Sequence, residues 1–200
     1  AGQFKAYVGD YVSTDEKFQL AESIETEVDS ATGSISQIRK LENPIKNFNP
    51  IYNAELNLSG PAPLLGDKLS FLTNIRYLSN EGHLYGRNWF TPQGLPGDSS
   101  LVPMNPYERL TAQGKLTLRM GSSFKISYNL FYNDWKNERV YSFSGNAGKN
   151  WRYCPYNRPQ QFGGGTTHIV TLNHVLSPST FYEIRFNKFY NEYERYLYEN

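Results

Sequence analysis

Pro50 to Leu78 reads PIYNAELNLSGPAPLLGDKLSFLTNIRYL, two runs of alternating apolar and polar residues joined by a stretch rich in glycine and proline. A period of two is what a β-strand with one wet and one apolar face requires. Tyr52, Ala54, Leu56 and Leu58 point one way, and Asn53, Glu55, Asn57 and Ser59 the other. In the return run Leu69, Phe71, Thr73, Ile75 and Tyr77 share the apolar face, opposite Ser70, Asn74 and Arg76, with Leu72 the exception. Gly60-Pro61-Ala62-Pro63 and Gly66-Asp67 break the ladder and turn the chain. The unit is a β-hairpin, and the rest of the chain repeats it.

The same pattern predicts about seven strands, near 2–13, 50–58, 67–79, 107–120, 124–133, 166–176 and 181–197. The clearest alternation sets Leu110, Ala112, Leu116, Leu118 and Met120 against Arg109, Thr111, Gln113, Lys115, Thr117 and Arg119. After the turn Gly121-Ser122-Ser123 it continues with Phe124, Ile126, Tyr128, Leu130 and Tyr132 against Lys125, Ser127 and Asn129. In Gly2–Ser13 either face can be the apolar one. Leu20, Ile24 and Val28, four residues apart behind Ser13-Thr14-Asp15, predict a short helix within a polar connection. Residues 80–106 carry so many glycines and prolines that no regular structure is expected there.

Connection length constrains the fold further. Residues 15–49, 80–106 and 134–165 are long connections, and 59–66, 121–123 and 177–180 are short ones, in strict alternation. In an up-and-down meander all the long loops therefore reach one rim and all the short turns the other, the arrangement of outer-membrane barrels. Greek-key connections would not sort loops by parity. The predicted class is all-β, an antiparallel meander forming an incomplete segment of a transmembrane barrel. Charge placement agrees: the apolar faces of the second to fifth strands read as free of charge, while Glu55, Arg76, Arg109, Lys115, Arg119 and Lys125 fall on the opposite faces. Tyr52, Tyr77, Tyr128, Tyr132 and Tyr182 are read as lying towards strand ends, where an aromatic girdle belongs.

Aromatic residues make up 16% of the chain, a composition that favours strands. No apolar run approaches the roughly 18 residues of a membrane-spanning helix, whereas a spanning strand needs only about ten with every second one apolar. A net charge of +1 offers no footprint for nucleic acid.

The runs KAYVGDYVSTDEKF, LNLSGPAPLLGDKLSFLTNIRY, EGHLYGRNWFTP and HVLSPSTFYEIRF resemble the start of the β-barrel in TonB-dependent outer-membrane receptors. The likeness is greatest to the branch with a carboxypeptidase-regulatory-like N-terminal domain. It spans nearly the whole chain, 1–200, and its most specific parts are the SGP turn followed by GDKLSF and the LSPSTFYE turn. The resemblance implies a 22-stranded barrel in the outer membrane of a Gram-negative bacterium, in contact with outer-membrane lipid and plugged by an N-terminal domain. It implies uptake of a scarce siderophore, cobalamin, glycan or peptide, driven by the TonB complex. The plug and the TonB box are expected ahead of Ala1, and the remaining strands beyond Asn200. A different reading of the same residues is a secreted β-rich carbohydrate-binding module.

No acid/base pair of definable spacing points to an enzyme. His168 and His174 share a strand face but stand about 20 Å apart along it, too far to hold one metal ion, and both are expected near strand ends. Cys154 has no second cysteine to pair with and reads as an unpaired loop thiol. Gly163-Gly164-Gly165 lacks a following Gly-Lys-Ser/Thr and reads as the flexible base of a loop. No cofactor or metal is expected. The candidate ligand contacts are in the long loops: Tyr85, Arg87, Trp89 and Phe90 in one, Trp151 and Arg152 in another. Aromatic faces beside guanidinium groups can stack on sugar or aryl rings and grip carboxylates, or can pack the loops onto one another.

Overall fold

The computed structural model describes residues 1–15, 21–46, 50–62, 66–137 and 151–197. Its main body is one seven-stranded antiparallel sheet with strands in the order β1 (Gly2–Asp10), β4 (Pro50–Ala62), β5 (Gly66–Asn80), β8 (Tyr107–Met120), β9 (Phe124–Lys136), β10 (Gln160–Ser177) and β11 (Thr180–Tyr196). Each of these strands pairs with the next in chain order, so the sheet is a meander. The long connections 11–49, 81–106 and 137–159 meet one rim, and 63–65, 121–123 and 178–179 the other. The hairpins do not stack face to face around a dry interior.

The predicted helix is instead a strand. β2 (Ala21–Val28) pairs with β3 (Ile35–Glu42) in a two-stranded hairpin inside the first long connection. Four-residue spacing is an even number, so Ile24 and Val28 fall on one strand face as readily as on one helix face, and β-branched Ile24, Thr26 and Val28 favour the strand. Leu20 lies outside the described residues. The connection 81–106 also holds regular structure: β6 (Tyr85–Arg87) pairs with β7 (Leu101–Pro103). The ends of β1, β9 and β10 differ from the predicted ones. β1 stops at Asp10, opposite Pro50, which has no N–H to extend the ladder. β9 and β10 run on past the predicted ends, so Gly163, Gly164 and Gly165 are strand residues, not a loop base.

Register settles which face each residue occupies, because directly opposed residues share a side. Phe4 is level with Leu56, Ile75, Ala112, Tyr132, Thr166 and Tyr190, and Lys5 with Glu55 and Arg76, so the face of β1 bearing Phe4, Ala6 and Val8 is the apolar one. Below that row lie Leu58, Thr73 and Leu130, then Phe71, Leu116, Tyr128, Val170 and Phe186, then Leu69, Leu118, Ile126, Leu172 and Ile184. Met120, Phe124, His174 and Tyr182 close the band at the short-turn rim.

Three charges on this face of the second to fifth strands correct the sequence reading. Glu108, Asp134 and Lys136 lie on it, all near the long-loop rim, and Asp10, Glu192 and Glu194 lie on it at the same rim of β1 and β11. Inside the band the one charge among the described residues is Lys188, beside His168. His168 is therefore well within β10 and not at a strand end, and its Nδ1 lies 2.7 Å from the Tyr128 hydroxyl. Tyr128 likewise sits within the band, away from either rim. The opposite face is polar, with Asn53, Glu55, Asn57, Asn74 and Arg76 joined by side-chain hydrogen bonds.

Among the described residues, Ile45, Leu84 and Met104 are the only hydrophobic side chains fully buried, and all three belong to the long connections. The sheet is a single layer. Phe186 remains 71% exposed on the apolar face and Phe189 72% exposed on the polar one.

Candidate functional site

The long-loop rim is a folded platform. Asn105, buried at its base, accepts hydrogen bonds at Oδ1 from the backbone N–H groups of His83, at 3.1 Å, and Leu84, at 2.8 Å. Gly82 has a φ of +80°, and a Cβ there would lie 2.2 Å from that same oxygen, so the bend admits only glycine. Met104, 1% exposed, fills the space beneath, and its N–H bonds to the Leu84 carbonyl at 2.7 Å. Removing the Asn105 carboxamide strands two backbone donors, at a cost of about 1–3 kcal/mol. Asn105→Ala is expected to speed limited proteolysis between residues 81 and 106 about tenfold or more, with the sheet still protected.

Asp98 organises the far end of the same loop. Its Oδ1 accepts from the Ser100 N–H at 3.0 Å, the Asn88 amide at 2.9 Å and the Ser100 hydroxyl at 2.8 Å. These bonds hold its carboxyl down at about 2, against an ordinary 3.8, with the Ser100 N–H contributing most. A lowered carboxyl stabilises the fold above its unfolded value and loses that contribution as pH falls through the folded one. Amide-exchange protection at Ser100 is thus expected to hold from pH 7 to pH 5 and to fall severalfold by about pH 2.

Arg87 draws the three long connections together. Its Nη2 forms an ion pair with Glu42 at the end of β3, and its Nη1 donates to the Ser99 carbonyl at 2.6 Å. Its backbone N–H donates to the Arg152 carbonyl at 2.7 Å, and the N–H groups of Trp89 and Phe90 donate to the Tyr153 carbonyl at 3.1 and 3.2 Å. The Trp89 and Tyr153 rings stack with centroids 5.0 Å apart, and the Arg152 guanidinium lies 5.0 Å from the Tyr153 ring centroid.

Arg87, Trp89, Phe90 and Arg152 are thus brought into one cluster, with Tyr85 two residues before Arg87 on β6 and Trp151 next to Arg152 in the chain, but they are engaged unequally. Arg87 and Trp89 join loop to loop, and Tyr85 is half-buried in β6, its phenol pushed up chiefly by burial. Phe90 stays 51% exposed, and Trp151 and Arg152 are partly exposed. Cys154 opens the 3-10 turn Pro155–Asn157. No group of three or more His, Cys, Asp or Glu side chains among the described residues is placed to hold a metal ion.

A second cluster lies on the polar face and escaped the sequence reading. On β9 the residues Trp135, Asn133 and Phe131 follow one another on that face, and on β11 so do Tyr193, Asn191 and Phe189, each level with its counterpart. Between them β10 presents Gly163, Gly165 and Thr167. The indole of Trp135 lies across Gly163, where a Cβ would come within 2.4 Å of its Cζ2, and approaches the Tyr193 ring at 6.1 Å. Next to this pair a groove of about 400 Å³ opens over Gly165. The signal was present as glycine at alternate positions of a strand, which marks close approach by a neighbour or ligand. It was hidden because a glycine run in sequence reads as a loop.

No family model, curated protein or solved structure matches this chain.

Proposed function

We propose that this chain is part of the wall of a TonB-dependent outer-membrane receptor, the N-terminal part of a 22-stranded barrel that takes up a scarce ligand with energy from the TonB complex. The long-loop platform faces outward from the cell and helps capture the siderophore, cobalamin, glycan or peptide. The plug domain and the TonB-contacting segment belong to the rest of that receptor.

The observation that carries this reading is the apolar band on one face of a single-layer meander, which among the described residues holds one charge, Lys188. On β8 it runs from Met120 to Ala112, roughly 27 Å along the strand. At the usual strand tilt of about 40° that spans some 20 Å of the membrane normal, close to the band of about 25 Å in barrels of this kind. Charge returns where the headgroup level would begin, at Glu108, Asp134 and Lys136. Lys188, on the edge strand, has a stem long enough to snorkel to the interface. Burying the other face in water gives the Glu55–Arg76 network its solvation. Barrel closure requires strands beyond the open edges of β1 and β11.

The test is fractionation of the intact protein from its native envelope. It is expected in detergent extracts of the outer membrane, with a gel mobility that shifts on boiling. A native chain that stays in the water-soluble fraction and shows no shift sinks the proposal.

A further inference from the structure

We infer that the polar-face trough between β9 and β11 is a binding track for an uncharged carbohydrate chain, an inference resting on the receptor reading, which places this face towards the lumen. The track is built, not incidental. β9 and β11 are separated by β10, so their walls stand about 9.6 Å apart at the usual strand spacing. Each wall carries the same order from the long-loop side, an aromatic ring, an asparagine and a second aromatic ring. Any side chain at Gly163 would displace Trp135, and one at Gly165 would meet the Tyr190 carbonyl oxygen at 2.6 Å and Asn191 Oδ1 at 3.1 Å. Glycine at 163 lets the Trp135 indole lie across β10, and glycine at 165 leaves the floor of the groove open.

The chemistry of the lining selects the ligand class. No charged residue lines the groove over Gly165. Among the described residues, Gln113, Asn133 and Asn191 make no side-chain hydrogen bond, so their amides are available. Each amide offers a donor and an acceptor side by side, the complement of neighbouring sugar hydroxyls. The rings supply apolar faces against which the C–H face of a pyranose can rest. An anionic metal chelate would need cations in the lining, and a peptide would need partners for its charged termini. A neutral glycan needs neither. The track also lies below the loop platform, with the Trp135–Tyr193 pair at its upper end, on the path a captured chain would follow inward.

The test uses the purified full-length receptor in detergent, titrated calorimetrically with maltohexaose, cellohexaose and laminarihexaose, and with hexagalacturonate as the charged comparison. At least one neutral hexaose is expected to bind, and more tightly than hexagalacturonate. Trp135→Ala and Phe189→Ala are each expected to weaken that binding about tenfold or more, and Asn191→Ala about fivefold. Phe189 is largely exposed, so its truncation leaves the fold intact. Failure of all three neutral sugars to bind, or unchanged affinity in both aromatic variants, overturns the inference. The gel shift on boiling, measured on the same preparation, separates the two ideas. A heat-modifiable barrel that binds no sugar ends the carbohydrate track and leaves the receptor reading standing. A sugar-binding protein without the shift ends the receptor reading, and the variants still decide the track.

Discussion

Gly165→Val is expected to remove most of the folded protein. The new Cβ would stand 2.6 Å from the Tyr190 carbonyl oxygen, a backbone atom held in the β10–β11 ladder beside the Gly165–Asn191 pair. Neither strand can move without breaking its neighbour's hydrogen bonds, so the clash is met by distortion costing about 1–3 kcal/mol or more. That is a drop of roughly fivefold to over a hundredfold in the folded ratio, read as loss of the β-sheet circular-dichroism signal across a urea series. Gly114→Val is the internal control. Gly114 also lies in a central strand, but a Cβ there meets nothing within 4 Å. Valine is a better strand former than glycine, so this variant is expected to be neutral or slightly stabilising. Equal behaviour of the two variants would refute the packing of β10 described above.

Phe71→Lys is expected to be far more damaging than Ser70→Lys, although the two residues are adjacent on β5. Phe71 is in the middle of the apolar band, level with Leu116, Tyr128 and Val170. In a bilayer a lysine at this depth costs about 2–4 kcal/mol, in addition to the lost apolar contact. Ser70 lies on the other face, level with Thr117, Ser127 and Thr171, where water solvates a charge. The measurement is unfolding free energy in lipid vesicles for the two variants. A water-soluble sheet with both faces wet would show nearly equal, small effects. The comparison therefore tests the membrane reading through a single strand and without reference to ligand.

The loop platform and the sheet derive their order from different sources. In the sheet, ladder hydrogen bonds and cross-strand pairs act along every strand. At the rim, a few buried polar groups and one methionine hold a long irregular segment, so single changes at Asn105 or Asp98 open it locally. Such a division suits a surface that must present varied side chains on a fixed support.

The strands, their alternation and the sorting of their connections were legible in the chain because side-chain period and breaker residues are local properties. Leu110 to Tyr132 could be assigned from neighbours alone. Register was not, and it decided the rest. Only pairing of β1 with β4 showed that Phe4 and not Lys5 faces the apolar side, and only pairing of β9, β10 and β11 set two aromatic–asparagine–aromatic columns beside a strand of glycines. Ile24 and Val28 misled because a spacing of four fits both helix and strand, and the choice fell to a partner, Ile35–Glu42, that local spacing does not reveal. Contacts between residues distant in the chain depend on loop closure and ladder offset, which no window of sequence contains.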